Sequence, residues 1–140
     1  MVEKAQIEEL KEKVALERDK LLALLEPLSE EAASTPPKPS EWSAKQQMSH
    51  LCEMETAYRA CVEKALEEDG ANVDGIRGEP VAIPLDRAKL HTVAEHVAEM
   101  RRQRAKTLTV LDRMRPEDYD RTATSSLFGT LTLIQWLRSY

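Results

Sequence analysis

The feature that most constrains this chain is a period. Apolar residues return every three or four positions through three long segments, and proline or glycine cuts each segment off. Ile7, Leu10, Val14, Leu21, Leu25 and Leu28 form the first stripe, over about Val2 to Leu28. At 1.5 Å per residue this is a helix about 37 Å long. Glu17 and Arg18 interrupt the stripe one turn before its densest part, which a surface-lying helix or one side of a bundle tolerates. Pro36, Pro37 and Pro39 remove donors and restrict their neighbours, so the helix ends before them. A second helix starts at Ser43, where Gln46 completes a capping box. It runs with Met48, Leu51, Tyr58, Val62, Ala65 and Leu66 inward as far as Asp69-Gly70. The third covers about Leu85 to Met114, with Leu90, Val93, Val97, Met100, Leu108 and Leu111 inward, and Pro116 stops it.

Residues 70 to 84 hold Gly70, Gly75, Gly78, Pro80 and Pro84 without a sustained period, which marks a rim or lid. The isolated VAI at 81 to 83 is too short, and too fenced by prolines, to argue for a sheet. After a connection from Pro116 to Gly129, TLTLIQWLRSY begins a fourth helix at Thr130 or at Thr132, the latter with Gln135 as its capping partner. About ten residues cannot cover three helices each more than twice as long. The expectation is one all-α domain over 1–140, its last helix truncated at the C-terminal end and its uncovered face buried by self-association.

Composition supports this reading. The chain has 140 residues, 41% apolar, 32% charged and only 4% aromatic, so its core is built from Leu, Val, Ile, Met and Ala, which favours helix. A net charge of −5 argues against broad attraction to nucleic acid or to an anionic membrane. Leu21 to Leu25 is far too short to span a bilayer, and MVEKAQIEEL lacks the pattern of an export signal. Cys52 and Cys61 fall on roughly opposite faces of one helix, out of disulfide reach, and read as small buried hydrophobes in a reducing cytoplasm.

Few residues suggest chemistry. Glu55 sits inside the apolar stripe of the second helix, where a carboxylate needs a partner such as Arg104, a metal, or a proton. His50 lies at the edge of the same stripe, with Glu53 nearer to solvent. His96 lies on the flank of the third helix and can turn inward, whereas His91 is on its outer face. No HExxH, CxxC or HxxxH motif occurs, and no glycine-rich phosphate loop. RRQRAK, 101 to 106, is the one dense basic run, with Glu95 and Glu99 close enough to compensate it.

Two stretches, PSEWSAKQQMSHLCEME at 39 to 55 and RPEDYDRTATSSLFGTLTLIQWLRSY at 115 to 140, resemble the DinB-like superfamily, which includes thiol transferases of the mycothiol and bacillithiol type. The resemblance implies a four-helix bundle in up-down-down-up order, with a long crossover that 70 to 84 would form part of. It also implies a divalent metal, nickel or zinc, held by three histidines. Trp42, His50 and Glu55 match the W…HLxxxE motif, which makes His50 the first ligand. The other two belong to an HDxxH motif expected beyond residue 140, so this chain is expected to bind metal weakly or not at all, with Glu55 and His96 as substitute candidates. The implied activity is thiol S-transfer or hydrolysis on a low-molecular-weight thiol or another small molecule. The alternative is a non-catalytic helical protein that self-associates.

Overall fold

The computed structural model describes residues 2–139. Tyr140, the last residue of the expected fourth helix, lies outside them. Three long helices carry the architecture: α1 (Lys4–Leu25), α3 (Ala44–Glu67) and α4 (Val93–Arg113). A one-turn helix, α2 (Glu30–Ser34), follows α1, and another, α5 (Leu133–Leu137), follows a small sheet.

Contacts fix the directions. Lys11 lies 3.6 Å from Asp112, and Glu26 pairs with Arg101, so α1 and α4 are antiparallel. Glu55 meets Arg104 at 3.0 Å and Glu63 meets Arg113 at 3.7 Å, so α3 and α4 advance together. The Val2 N–H donates to Asp120 at 3.1 Å and the Leu133 N–H to the Arg121 carbonyl at 2.8 Å, which brings the start of α5 near the start of α1. Leu137, at its end, lines one cavity with Leu10, Val14 and Glu17, further along α1, so α5 runs with α1. The order is up-down-down-up, a mainly α-helical bundle as the periodicity predicts.

Its interior is divided. Leu10, Val14, Val62, Leu111, Tyr119 and Trp136 belong to one apolar cluster, and Leu22, Met48, Cys52, Val97 and Met100 to another. Between them lies a buried polar layer centred on Glu55. Arg18 Nη2 donates to Glu55 Oε1 at 2.9 Å, Arg104 Nη2 to the same oxygen at 3.2 Å, and Thr107 Oγ1 to Oε2 at 2.6 Å. Arg104 Nη1 also donates to the Val14 carbonyl at 2.8 Å. Arg59 donates to Gln103 Oε1 at 2.8 Å, to the Gln103 carbonyl at 3.1 Å and to Thr107 Oγ1 at 3.2 Å. One carboxylate therefore ties α1, α3 and α4 together. The Glu55–Arg104 pairing is the one its position in the stripe suggests; Arg18, which breaks the first stripe, is buried as its second partner.

The structure departs from the periodicity in three places. The first helix ends at Leu25, and Ser29 caps α2, its Oγ accepting from the Ala32 N–H at 3.1 Å. The expected third helix is two pieces, a 3₁₀ segment at Leu85–Leu90 and then α4, because Thr92 and Glu95 form a capping box that restarts the helix. Leu90 consequently points to solvent, 74% exposed, rather than inward. Finally, a small sheet is present where none was expected. β1 (Ala71–Asn72) pairs in parallel with β2 (Thr122–Ser125), which pairs antiparallel with β3 (Gly129–Thr132). Gly129, at φ 74°, closes the β2–β3 turn in a conformation that side chains resist. The 70–84 segment is strapped to α3 rather than standing clear of it: a Cβ on Gly78 would sit 2.3 Å from the Thr56 backbone.

Removing the shared carboxylate should cost more than removing a surface charge. Glu55→Ala leaves Arg18 and Arg104 buried without their acid, and an expected loss of about 3–5 kcal/mol follows. Replacing Glu55, Arg18 and Arg104 together by Leu, Met and Met should recover most of it. Urea unfolding of the two variants checks this, and a loss under about 1 kcal/mol for Glu55→Ala contradicts it.

Candidate functional site

Ser43 sets the start of α3, accepting from the Gln46 N–H at 3.3 Å while Gln46 Oε1 accepts from the Ser43 N–H at 2.9 Å. Trp42 is thereby left just outside the helix and folds back over its second turn. Its ring meets His50 edge-on, with centroids 4.9 Å apart. His50 is half-buried, and neither ring nitrogen is hydrogen-bonded to another described residue. On the other side of Trp42 an open groove of about 690 Å³ runs between α2, the proline segment and the start of α3, lined by Leu28, Pro37, Trp42 and Gln47.

The other candidates are engaged elsewhere. Glu55 is five positions beyond His50, on a different face, and both its oxygens are hydrogen-bonded within the polar layer. Glu53 Oε1 accepts from the Leu85 N–H at 3.0 Å and so anchors the 3₁₀ segment to α3. His96 is fully buried, with Nε2 donating to the Ala88 carbonyl at 2.7 Å. His91 Nδ1 lies 2.9 Å from Glu95. Among the described residues no three His, Cys, Asp or Glu side chains are grouped so as to hold a metal ion. Among the described residues, then, His50 is not joined by two further such side chains, and a three-ligand metal site does not fit them.

Nucleophilic chemistry is equally unsupported at the thiols. Burial pushes the Cys52 thiol up to about 12, and it raises Cys61 as well. Both stay protonated near neutral pH and are free of disulfide bonding. The basic run is paired with acids: Arg101 with Glu26, Arg102 with Glu99 at 2.7 Å, and Lys106 with Glu79 at 2.9 Å. No helix among the described residues is long and apolar enough to cross a membrane.

Two buried cations escaped the sequence reading. Lys45 is buried against Glu30 at 2.9 Å, and Glu30 also accepts from the Val93 N–H at 3.1 Å, so one carboxylate joins the starts of α3 and α4. Arg59 is the other. Its signal was its place one turn after Glu55 on the same helix face.

His96 gives this end of the bundle a pH dependence. Burial lowers its pKa, and the Ala88 carbonyl only partly offsets this; Lys45, His91 and Glu95 are the charged groups acting on it. Below about 6.5 the unfolded chain takes up a proton that folded His96 resists, so stability falls as pH drops through that value and levels off below the folded pKa. His96→Gln keeps an amide donor for Ala88 without titrating. Between pH 7.5 and 5.5, roughly one unit either side of that value, the native chain should lose more urea stability than the variant; equal losses contradict the assignment.

By sequence, a family model described as the DinB superfamily matches residues 14–140. No curated protein matches the chain closely enough to count as a relative. Among solved structures, the chain is similar to YfiT from Bacillus subtilis, described as a probable metal-dependent hydrolase with an unusual four-helix bundle topology. That match has a TM-score of 0.75 and 16% identity over 98% of this chain and 78% of that one. At that identity the likeness speaks for the fold. With the family model covering all but the first turns of α1, the chain belongs to the DinB superfamily.

Proposed function

We propose that this protein is a small-molecule enzyme of the DinB-superfamily kind, a hydrolase or thiol S-transferase, in which His50 is the residue that meets a divalent nickel or zinc ion. The carrying observation is the state of its imidazole. Of the three histidines, His91 and His96 are committed to Glu95 and to the Ala88 carbonyl, while His50 is half-buried beside Trp42 with both nitrogens free of described partners. The described residues supply one ligand where a stable site draws three or more. On this reading a single imidazole holds the ion weakly. The groove beside Trp42 offers an apolar wall for a small substrate such as a low-molecular-weight thiol or its acceptor. Two unpaired buried thiols support a reducing, cytoplasmic setting.

A second reading, a non-catalytic helical protein that self-associates, is favoured by the exposed apolar positions on α1. Leu16 is 45% and Leu24 74% exposed.

Titration of the tag-free chain with nickel or zinc should give a dissociation constant above about 10 μM, weaker still in His50→Ala. At about 1 mM metal, well above that constant, turnover of ester or thiol-acceptor substrates should depend on His50. Submicromolar binding overturns the incomplete site, and the absence of any His50-dependent turnover overturns the enzyme reading.

A further inference from the structure

One stripe of α4 meets the end of the 70–84 segment around an open cavity of about 310 Å³. Ala82 and Ile83 line it from the segment, Glu95, Ala98, Glu99 and Arg102 from α4, and His91 from just before that helix. α5 packs elsewhere, on α1 and α3. Positions 95, 99 and 102 recur at helical spacing, so the stripe is about 10 Å long. Its two carboxylates are used differently. Glu95 is engaged at both oxygens: Oε1 accepts from the Thr92 N–H at 3.0 Å, and Oε2 lies 2.9 Å from His91 Nδ1. Those contacts hold its carboxyl down at about 2, so it stays charged. Glu99 is buried, its side chain 5% exposed, and is engaged at one oxygen only. Oε1 accepts from Arg102 Nη2 at 2.7 Å and from Gln103 Nε2 at 2.9 Å. Oε2 accepts from no described residue and is not sealed from solvent. A guanidinium fork can take both oxygens of a carboxylate, and here Arg102 leaves one of them open.

We propose that this cavity binds a small primary amine with an unbranched hydrocarbon chain, its ammonium on Glu99 Oε2 and its chain along Ala82, Ile83 and Ala98. Three observations select this ligand. First, the lining carries two carboxylates against one guanidinium, an excess of one negative charge. A single ammonium balances it, whereas an anion would add to it. Second, the acidic and imidazole groups of the lining are not grouped so as to hold a metal ion. An ammonium needs no closed shell of ligands, and one charge-assisted hydrogen bond to the open oxygen orients it. Third, the wall between the carboxylates and the segment is apolar and low. Ala82 and Ala98 are small and exposed, Ile83 is buried beneath them, and together they leave space that a hydrocarbon chain fills. A chain of about five carbons matches a stripe about 10 Å long once its van der Waals envelope is counted. The His91–Glu95 pair closes the far end and sets the limit on length.

Titration of the full chain with n-pentylamine, followed by amide proton–nitrogen correlation spectra, tests this. Saturable shifts should appear at residues 82, 83 and 95 to 102, with a dissociation constant of about 1 mM, ordinary for a ligand of so few atoms. Sodium pentanoate, the same chain with the opposite charge, should leave those signals in place. Glu99→Gln, which removes the charge but keeps an acceptor, should weaken amine binding at least about tenfold. Because Glu99 also holds Arg102 and Gln103, a second variant separates binding from folding. Ala98→Leu puts a good helix former at an exposed position and fills the cavity; it should weaken binding about tenfold or more with helicity by circular dichroism unchanged. The absence of saturable shifts up to about 20 mM amine, some twenty times the expected constant, overturns the proposal. So do shifts confined to the groove beside Trp42, equal binding of pentanoate, or binding indifferent to Ala98→Leu.

Discussion

The rest of this structure depends on burying one carboxylate among more cations than it can neutralise alone. Glu55 takes donors from α1, α4 and a threonine hydroxyl, and Arg59 joins the same layer through Thr107 and Gln103. A buried ion pair is weak evidence of net stability, because desolvation consumes much of the Coulomb gain. What it supplies here is register. Sliding α1 by one turn against α3 would take Arg18 away from Glu55 and leave both charges stranded between two apolar clusters. Leucine-rich faces would tolerate that slip far better, since one leucine substitutes for another at nearly the same packing energy.

The legible part of the fold was the part set by local signals. The Ser43–Gln46 and Thr132–Gln135 boxes are both in place, and the stripes of α1, α3 and α4 are buried or half-buried where the 3.6 period put them, Leu90 excepted. Thr92–Glu95 carries the same signal, but apolar Leu85 and Leu90 continue the period across it and hide the break. The sheet was invisible for a different reason. β2 and β3 are short threonine-rich strands, and β1 is two residues whose partner lies about fifty positions on, so no window of sequence contains the pairing. Arg18 was visible as an interruption, yet what makes it a core residue is Glu55, thirty-seven positions away.

The candidate site divides along the same line. Trp42 and His50 are two helical turns apart, close enough for sequence to place them together, and their rings do meet. Whether a second donor faces His50 depends on packing between helices, and there the long-range contacts commit Glu55, Glu53 and His96 to structural partners. Glu55 holds two guanidinium groups and a hydroxyl, Glu53 the Leu85 N–H and His96 the Ala88 carbonyl, so each side chain is oriented by a partner on another element of the fold.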